Sequence, residues 1–237
     1  SLFVALALSA GGGALFSDFQ YAYAADVTGG NEFIDITHTA PSFPAGGAIT
    51  NPSDNGNVYG NTLTLGMYYN AFVYGGYTAG GGDSYKNTLI LNMGAYNGNR
   101  SMYAGWSNQG NATNNTVILN GTGTALAATD IYGGYSNNSS AHVRAGNTLI
   151  ITDATNHGRY YNFEKMQFKL NPGIADGALM LNLNDTNHSF EWSNIQVVGE
   201  DDVIAATTKS KRITLIRAYP MTIDNYDIAS STHTRGD

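Results

Sequence analysis

The residues best placed to do chemistry in this chain are aromatic. Tyr74 and Tyr77 recur as Tyr103 and Trp106, and again as Tyr132 and Tyr135, with a constant step (103 − 74 = 29; 132 − 103 = 29). Each pair belongs to one motif: Val73-Tyr74-Gly75-Gly76-Tyr77-Thr78, then Met102-Tyr103-Ala104-Gly105-Trp106-Ser107, then Ile131-Tyr132-Gly133-Gly134-Tyr135-Ser136. Sugars lie well on exposed Tyr and Trp rings, which combine an apolar face with a polar tip. Glycan or partner contact is therefore the chemistry these six residues offer. The competing reading makes them two partly buried ladders, Tyr74-Tyr103-Tyr132 and Tyr77-Trp106-Tyr135. Tyr69, Tyr85, Tyr96, Tyr160 and Tyr161 are further, less regular candidates.

Other chemistries lack their residues. Glycoside hydrolysis needs two carboxylates about 5–10 Å apart, yet Asp130, Asp153, Glu164, Asp176, Asp185 and Glu191 fall in different segments. Glu200-Asp201-Asp202, the one acidic run, reads as a solvated turn after the 194–198 segment. The histidines His38, His142, His157, His188 and His233 show no paired metal spacing. There is no Gly-x-Ser-x-Gly elbow, and Gly80-Gly81-Gly82 precedes Asp83 without the Lys-Ser/Thr pair of a phosphate loop. No catalytic residue, metal or cofactor is expected.

The elements that position the aromatics come from a second repeat. Asn61-Thr62-Leu63-Thr64-Leu65 returns as Asn87-Thr88-Leu89-Ile90-Leu91, Asn115-Thr116-Val117-Ile118-Leu119 and Asn147-Thr148-Leu149-Ile150-Ile151. Short Leu-rich and β-branched runs between Gly/Asn/Ser-rich stretches read as strands. A period of 20–50 residues marks a stacked architecture, in which each unit buries its apolar face against its neighbours. A propeller blade needs about four strands in 40–45 residues, whereas the 29-residue unit holds two clear ones. The fold class expected is all-β, a right-handed parallel β-helix (solenoid) of irregular repeats. In it Leu63, Leu65, Leu89, Leu91, Val117, Leu119, Leu149 and Ile151 point inward. Each Asn sits at a corner and bonds the Asn above and below, and the motif glycines make the bend. Past Ile151 the strand rhythm continues through 161–170, 177–183, 194–198 and 212–217, with no helical period.

Charge and composition narrow the partners. Of the 237 residues only 12% are charged, about half the usual share. A formal charge of −7 argues against nucleic acid, which needs clustered Lys and Arg. The absence of cysteine removes disulfides and thiolate chemistry. Leu2-Phe3-Val4-Ala5-Leu6-Ala7-Leu8, followed by Ala22-Tyr23-Ala24, has the apolar run and small-x-small site of a secretory signal peptide. Its charged start is missing, so residues 1–24 are read as a signal peptide truncated at its start. Residues 25–56 form an N-terminal cap region around the strand-like 32–36 piece. Residues 57–237 form the β-helix repeats, expected to continue beyond the fragment.

The NTLTL…VYGGY cadence, the Tyr-Asn-Phe-Glu-Lys-Met-Gln-Phe segment at 161–168 and the Arg-Ile-Thr-Leu-Ile-Arg strand at 212–217 resemble passenger domains of bacterial autotransporters. The resemblance spans about residues 57–217 plus the leader-like start. It implies a right-handed β-helix carried to the surface of a Gram-negative cell by a C-terminal outer-membrane barrel. No run of ten-residue alternating strands is present here, so the barrel is expected in the full-length chain past Asp237. The resemblance further implies a non-catalytic adhesion, aggregation or stalk module facing a host or neighbouring-cell surface, glycans included. The alternatives are a secreted β-helix enzyme that degrades polysaccharide, and a self-assembling surface fibre. The closing Arg235-Gly236-Asp237 matches a tripeptide that integrins recognise, by chance on this reading.

Overall fold

The computed structural model describes residues 56–65, 72–92, 101–120, 126, 129–152, 156–183, 194–206 and 210–218. It also gives the strand placement of Val27–Thr28, Phe33–Ile36, Ala48–Thr50, Ser53–Asp54, Met221–Ile228 and His233–Arg235. The expected signal peptide, most of the cap region, Tyr69, Tyr96, Asp153, Asp185, Glu191 and the final Gly236-Asp237 lie outside the described residues.

The chain is a parallel β-solenoid whose strands form four sheets. Three carry its repeated sides, while the fourth joins Asn156–His157, Leu179–Leu183, Lys211–Ala218, Met221–Ile228 and His233–Arg235. The first side stacks Phe33–Ile36, Thr62–Leu65, Thr88–Leu91, Thr116–Leu119, Thr148–Ile151, Lys165–Lys169 and Ile195–Val198. Every pairing in it is parallel, with like residues on like: Leu63, Leu89, Val117 and Leu149 form one column, and Leu65, Leu91, Leu119 and Ile151 another. All eight are fully buried, as the alternation predicted. Burying each is worth about 1.5–3 kcal/mol, and neighbouring coils supply the cover.

The second side carries the aromatic motif on Phe72–Tyr74, Met102–Ser107, Asp130–Ser136 and Arg159–Tyr161, with Ala48–Thr50 upstream. Tyr74 pairs with Tyr103 and Tyr103 with Tyr132, so the 29-residue unit is one coil. Inward from them lie Val73, Met102, Ile131 and Tyr160, all buried. The third side is short and carries no clear sequence signal. It stacks Val27–Thr28, Val58–Tyr59, Ser84–Tyr85 and Ala112–Thr113.

Four expectations change. The motif glycines make a bend only in the first copy: Gly75 and Gly76 lie at a bend between Phe72–Tyr74 and Tyr77–Thr78, whereas Gly105, Gly133 and Gly134 lie inside continuous strands. The left-handed corner falls instead on the residue before each ladder Asn, at Gly60, Lys86, Asn114 and Gly146 (φ +71°, +56°, +56° and +70°). The 161–170 segment is not one strand, because Asn162 (φ +62°) breaks it and a new strand starts at Lys165. Glu200-Asp201-Asp202 is not a turn but the first turn of a short helix, Glu200–Ala206, where acids complement the helix dipole. Finally, Lys211–Ala218 pairs parallel with Leu179–Leu183 but antiparallel with Met221–Ile228, so the pairing in this sheet is not all parallel.

The predicted asparagine ladder is present and wholly buried: Asn61, Asn87, Asn115 and Asn147 are each 0% exposed. Asn61 Nδ2 donates to Asn87 Oδ1 (3.0 Å), Asn87 Nδ2 to Asn115 Oδ1 (3.1 Å), and Asn115 Nδ2 to Asn147 Oδ1 (3.3 Å). Each of these oxygens also accepts the backbone N–H of the preceding Asn, at 3.2, 3.0 and 2.8 Å. The amide nitrogens reach back as well, from Asn87 to Val58 O and from Asn115 to Ser84 O. Removing one member leaves buried donors and acceptors unmet, which is the costly case. Asn115→Ala should therefore cost about 2–4 kcal/mol by urea denaturation. Asn137→Ala, which removes an exposed bond to Asn108 (2.9 Å), should stay within about 0.5 kcal/mol.

Candidate functional site: an aromatic column beside an asparagine ladder

The six sequence-predicted aromatics converge on the second side, but with unequal geometry. Tyr74 stacks on Tyr103 (centroids 5.2 Å, planes 8° apart) and Tyr103 on Tyr132 (5.0 Å, 17°). The column gains a fourth ring, Tyr161, stacked on Tyr132 at 4.8 Å. Its strand Arg159–Tyr161 pairs with the Asp130–Ser136 strand, and Arg159 holds Asp130 in an ion pair (2.6 Å) at the start of that pairing. The second column is shorter: Tyr77 stacks on Trp106 (4.6 Å, 14°). Tyr135 is in register with Trp106, but its ring meets Tyr132 and Tyr103 edge-on, both at 5.5 Å. Of the additional candidates, Tyr85 stacks on Tyr59 on the third side (4.8 Å, 5°), and Tyr160 belongs to the core.

This geometry restricts what the rings can do. Stacked rings cover one another's faces, so the inner members of each column present edges and hydroxyls outward rather than faces. Tyr103 is 9% exposed, and Tyr74, Tyr77, Trp106, Tyr132 and Tyr135 are half-buried. Each stacked pair adds about 0.5–1.5 kcal/mol beyond its burial. A partner spreading along this side would meet phenol edges in rows one strand spacing apart, about 4.8 Å.

The same spacing explains why glycine recurs between the rings. A Cβ on Gly76 would overlap the Asn87 amide and one on Gly105 the Asn115 amide, while one on Gly134 would meet the Ala112 and Val143 carbonyls first and then the Asn147 amide. The two repeated motifs are therefore one device: the glycine of the aromatic motif is the roof under which the next Asn side chain lies. Sequence reading missed this link, although each Asn follows its glycine within the same coil, at intervals of 10 to 13 residues (87 − 76 = 11; 115 − 105 = 10; 147 − 134 = 13).

Polar stacks occupy the other corners too. Asn57 Oδ1 accepts from Asp83 N, Asp83 Oδ1 from Asn111 N, and Asn111 Oδ1 from His142 N, at 2.7–2.8 Å. Asn92, Asn120 and Thr152 form another run. Of the scattered acids singled out from the sequence, the three that are described have structural partners: Asp130 holds Arg159, Glu164 accepts from Gly146 N, and Asp176 from Arg212 N (2.7 Å). Among the described residues no three His, Asp or Glu side chains converge as metal ligands.

No protein-family model, curated sequence or solved structure matches this chain.

Burial pushes the phenols of Tyr74 and Tyr132 up from 10.0 to about 12, helped by neighbouring phenols and, for Tyr132, by Asp130. Tyr103 moves in the same direction for the same first reason. The fold thus holds the neutral phenol. Its contribution is complete below pH 10 and is lost as the pH rises toward 12. Absorbance titration at 295 nm should show the column tyrosines ionising after the ordinary ones, with far-UV dichroism lost in that later window. Tyr132→Phe should remove one phenol from the late phase. A single transition near pH 10 with unchanged dichroism would show that the column is not packed.

Proposed function

We propose that this chain is an exported, non-catalytic surface passenger that makes extended, repeated contacts with a host or neighbouring cell. The observation that supports it most is the repetition itself: coil after coil presents the same outward phenol edges, amides and hydroxyls in straight rows. Weak contacts multiplied along such rows gain avidity without any deep pocket. The partnered acids add support, since hydrolysis would need a freely disposed carboxylate pair. The leader-like start and the resemblance to autotransporter passengers supply the reading of export to a Gram-negative surface.

Beads coated with residues 25–237 should adhere to cultured epithelial cells or aggregate the producing bacterium. Tyr77→Ser with Trp106→Ser should weaken adhesion several-fold while dichroism stays native. Native-folded beads that bind neither surface at saturating density would remove the contact role and leave a stalk. For export, residues 1–24 fused to a leaderless reporter should deliver it to the periplasm; a reporter retained in the cytoplasm would contradict that part.

A further inference from the structure

Among the described residues, the backbone bonding of the third side stops at the 142–146 segment. Along this side, each coil donates two backbone N–H groups to carbonyls of the next coil. Val58 and Gly60 donate to Asp83 and Tyr85 (2.8 and 3.3 Å), Ser84 and Lys86 to Asn111 and Thr113 (2.8 and 3.4 Å), and Ala112 and Asn114 to His142 and Ala145 (2.9 and 2.8 Å). In each case the next donor is the residue that follows the accepting carbonyl. Continuing that rule, the donors after His142 and Ala145 are Val143 and Gly146.

The coil that should receive them has no third side. Successive ladder asparagines are 26, 28 and 32 residues apart, but Lys165 pairs with Thr148 after only 17 residues (165 − 148 = 17). Phe163 is buried where the next inward side chain is needed, and Asn162 turns the chain directly back to the first side. The Glu164 carboxylate takes the Gly146 N–H in place of a missing carbonyl. Among the described residues, nothing accepts from the Val143 N–H. Over this edge lies an open notch of about 660 Å³ lined by His142, Val143, Arg144, Asn162, Glu164 and Asn194. A second depression of about 480 Å³, which includes Lys165, shares Asn194 with it.

We propose that this notch binds an extended acidic peptide, which adds to the third side as its missing rung. The donor pattern specifies the backbone: an N–H at rung spacing on a parallel edge is met by the carbonyl of an extended chain, as in strand addition generally. The charges specify the side chains. In a chain of net charge −7, His142, Arg144 and Lys165 line the two adjoining depressions, and among the described residues lining them Glu164 brings the one carboxylate. The Arg144 guanidinium is held at the wall by donation from Nε to Phe163 O (3.2 Å). A peptide carboxylate pointing out of the added strand would lie near the Arg144 and Lys165 cations, with the His142 ring as a further polar neighbour. The inference stands on the edge itself and holds whether or not the chain reaches a cell surface.

The test is a titration of the ¹⁵N-labelled full chain with acetyl-Val-Asp-Val-Asp-Val-amide, with its Asn-for-Asp counterpart, and with an oligogalacturonate. The expected result is a downfield shift and slowed exchange of the Val143 amide, with the acidic peptide about three- to fivefold tighter than the neutral one. That gap should close at high salt. Glu164→Ala frees the Gly146 N–H as a second donor and should tighten the acidic peptide further, with the Gly146 amide now shifting too. An unmoved Val143 amide at millimolar peptide would overturn the proposal. So would peptide shifts confined to another side, or a response to the oligogalacturonate alone.

Discussion

A buried primary amide is the constraint from which the rest of this solenoid follows. Four asparagine side chains lie in single file inside the stack, and the oxygens of Asn87, Asn115 and Asn147 each accept two donors from the coil before. An amide so placed is costly unless every hydrogen bond is met, and it is met here only if successive coils keep register to within a fraction of an ångström. The left-handed residue before each Asn turns the chain so that the amide enters the interior. The glycine one corner earlier clears the space it enters. Apolar columns then fill what remains, and they need only be apolar and of about the right size. The amides give the coil its register; the leucines contribute most of the burial.

Where the ladder stops, the cross-section changes. Asn147 is the last member, and its Nδ2 bonds Ala112, Val143 and Asn162 carbonyls instead of another amide. In the next coil Glu164 occupies the position paired with Asn147, and a carboxylate cannot continue a chain of amides that must both donate and accept. Its side chain turns to the Gly146 N–H, Phe163 takes the interior, and one side of the coil disappears. The end of the amide ladder and the shortened 17-residue coil thus coincide at Glu164.

Much of this was legible in the sequence, because stacked parallel coils write their register as exact repeats. The fully buried Leu/Val/Ile columns and the Asn ladder follow from the NT-[LV]-x-[LI] motif, whereas only the pairing of Tyr74, Tyr103 and Tyr132 shows that the 29-residue unit is one coil. The third side was not legible, since Val58–Tyr59, Ser84–Tyr85 and Ala112–Thr113 share only their alternation and are two residues long. The role of the motif glycines was legible only in part, since Gly75-Gly76 does bend but the sequence does not show whether a glycine serves backbone conformation or space. The short helix was invisible because seven residues give too few turns for a period. For the aromatics, spacing identified the rows correctly, but not that ring faces would be spent on one another. This shifts any contact toward edges, hydroxyls and the amide rows beside them.

The central claim is that the glycine of one motif exists to house the asparagine of the other, and a double-mutant cycle on Gly105 and Asn115 tests it most directly. The three atoms nearest a Cβ on Gly105 all belong to the Asn115 amide. In the native background Gly105→Ala should destabilise the chain by about 2 kcal/mol, and in the Asn115→Ala background by almost nothing, giving a coupling of about 2 kcal/mol. Strictly additive costs, with Gly105→Ala equally damaging when the amide is gone, would contradict the account and return the glycine to a purely backbone role.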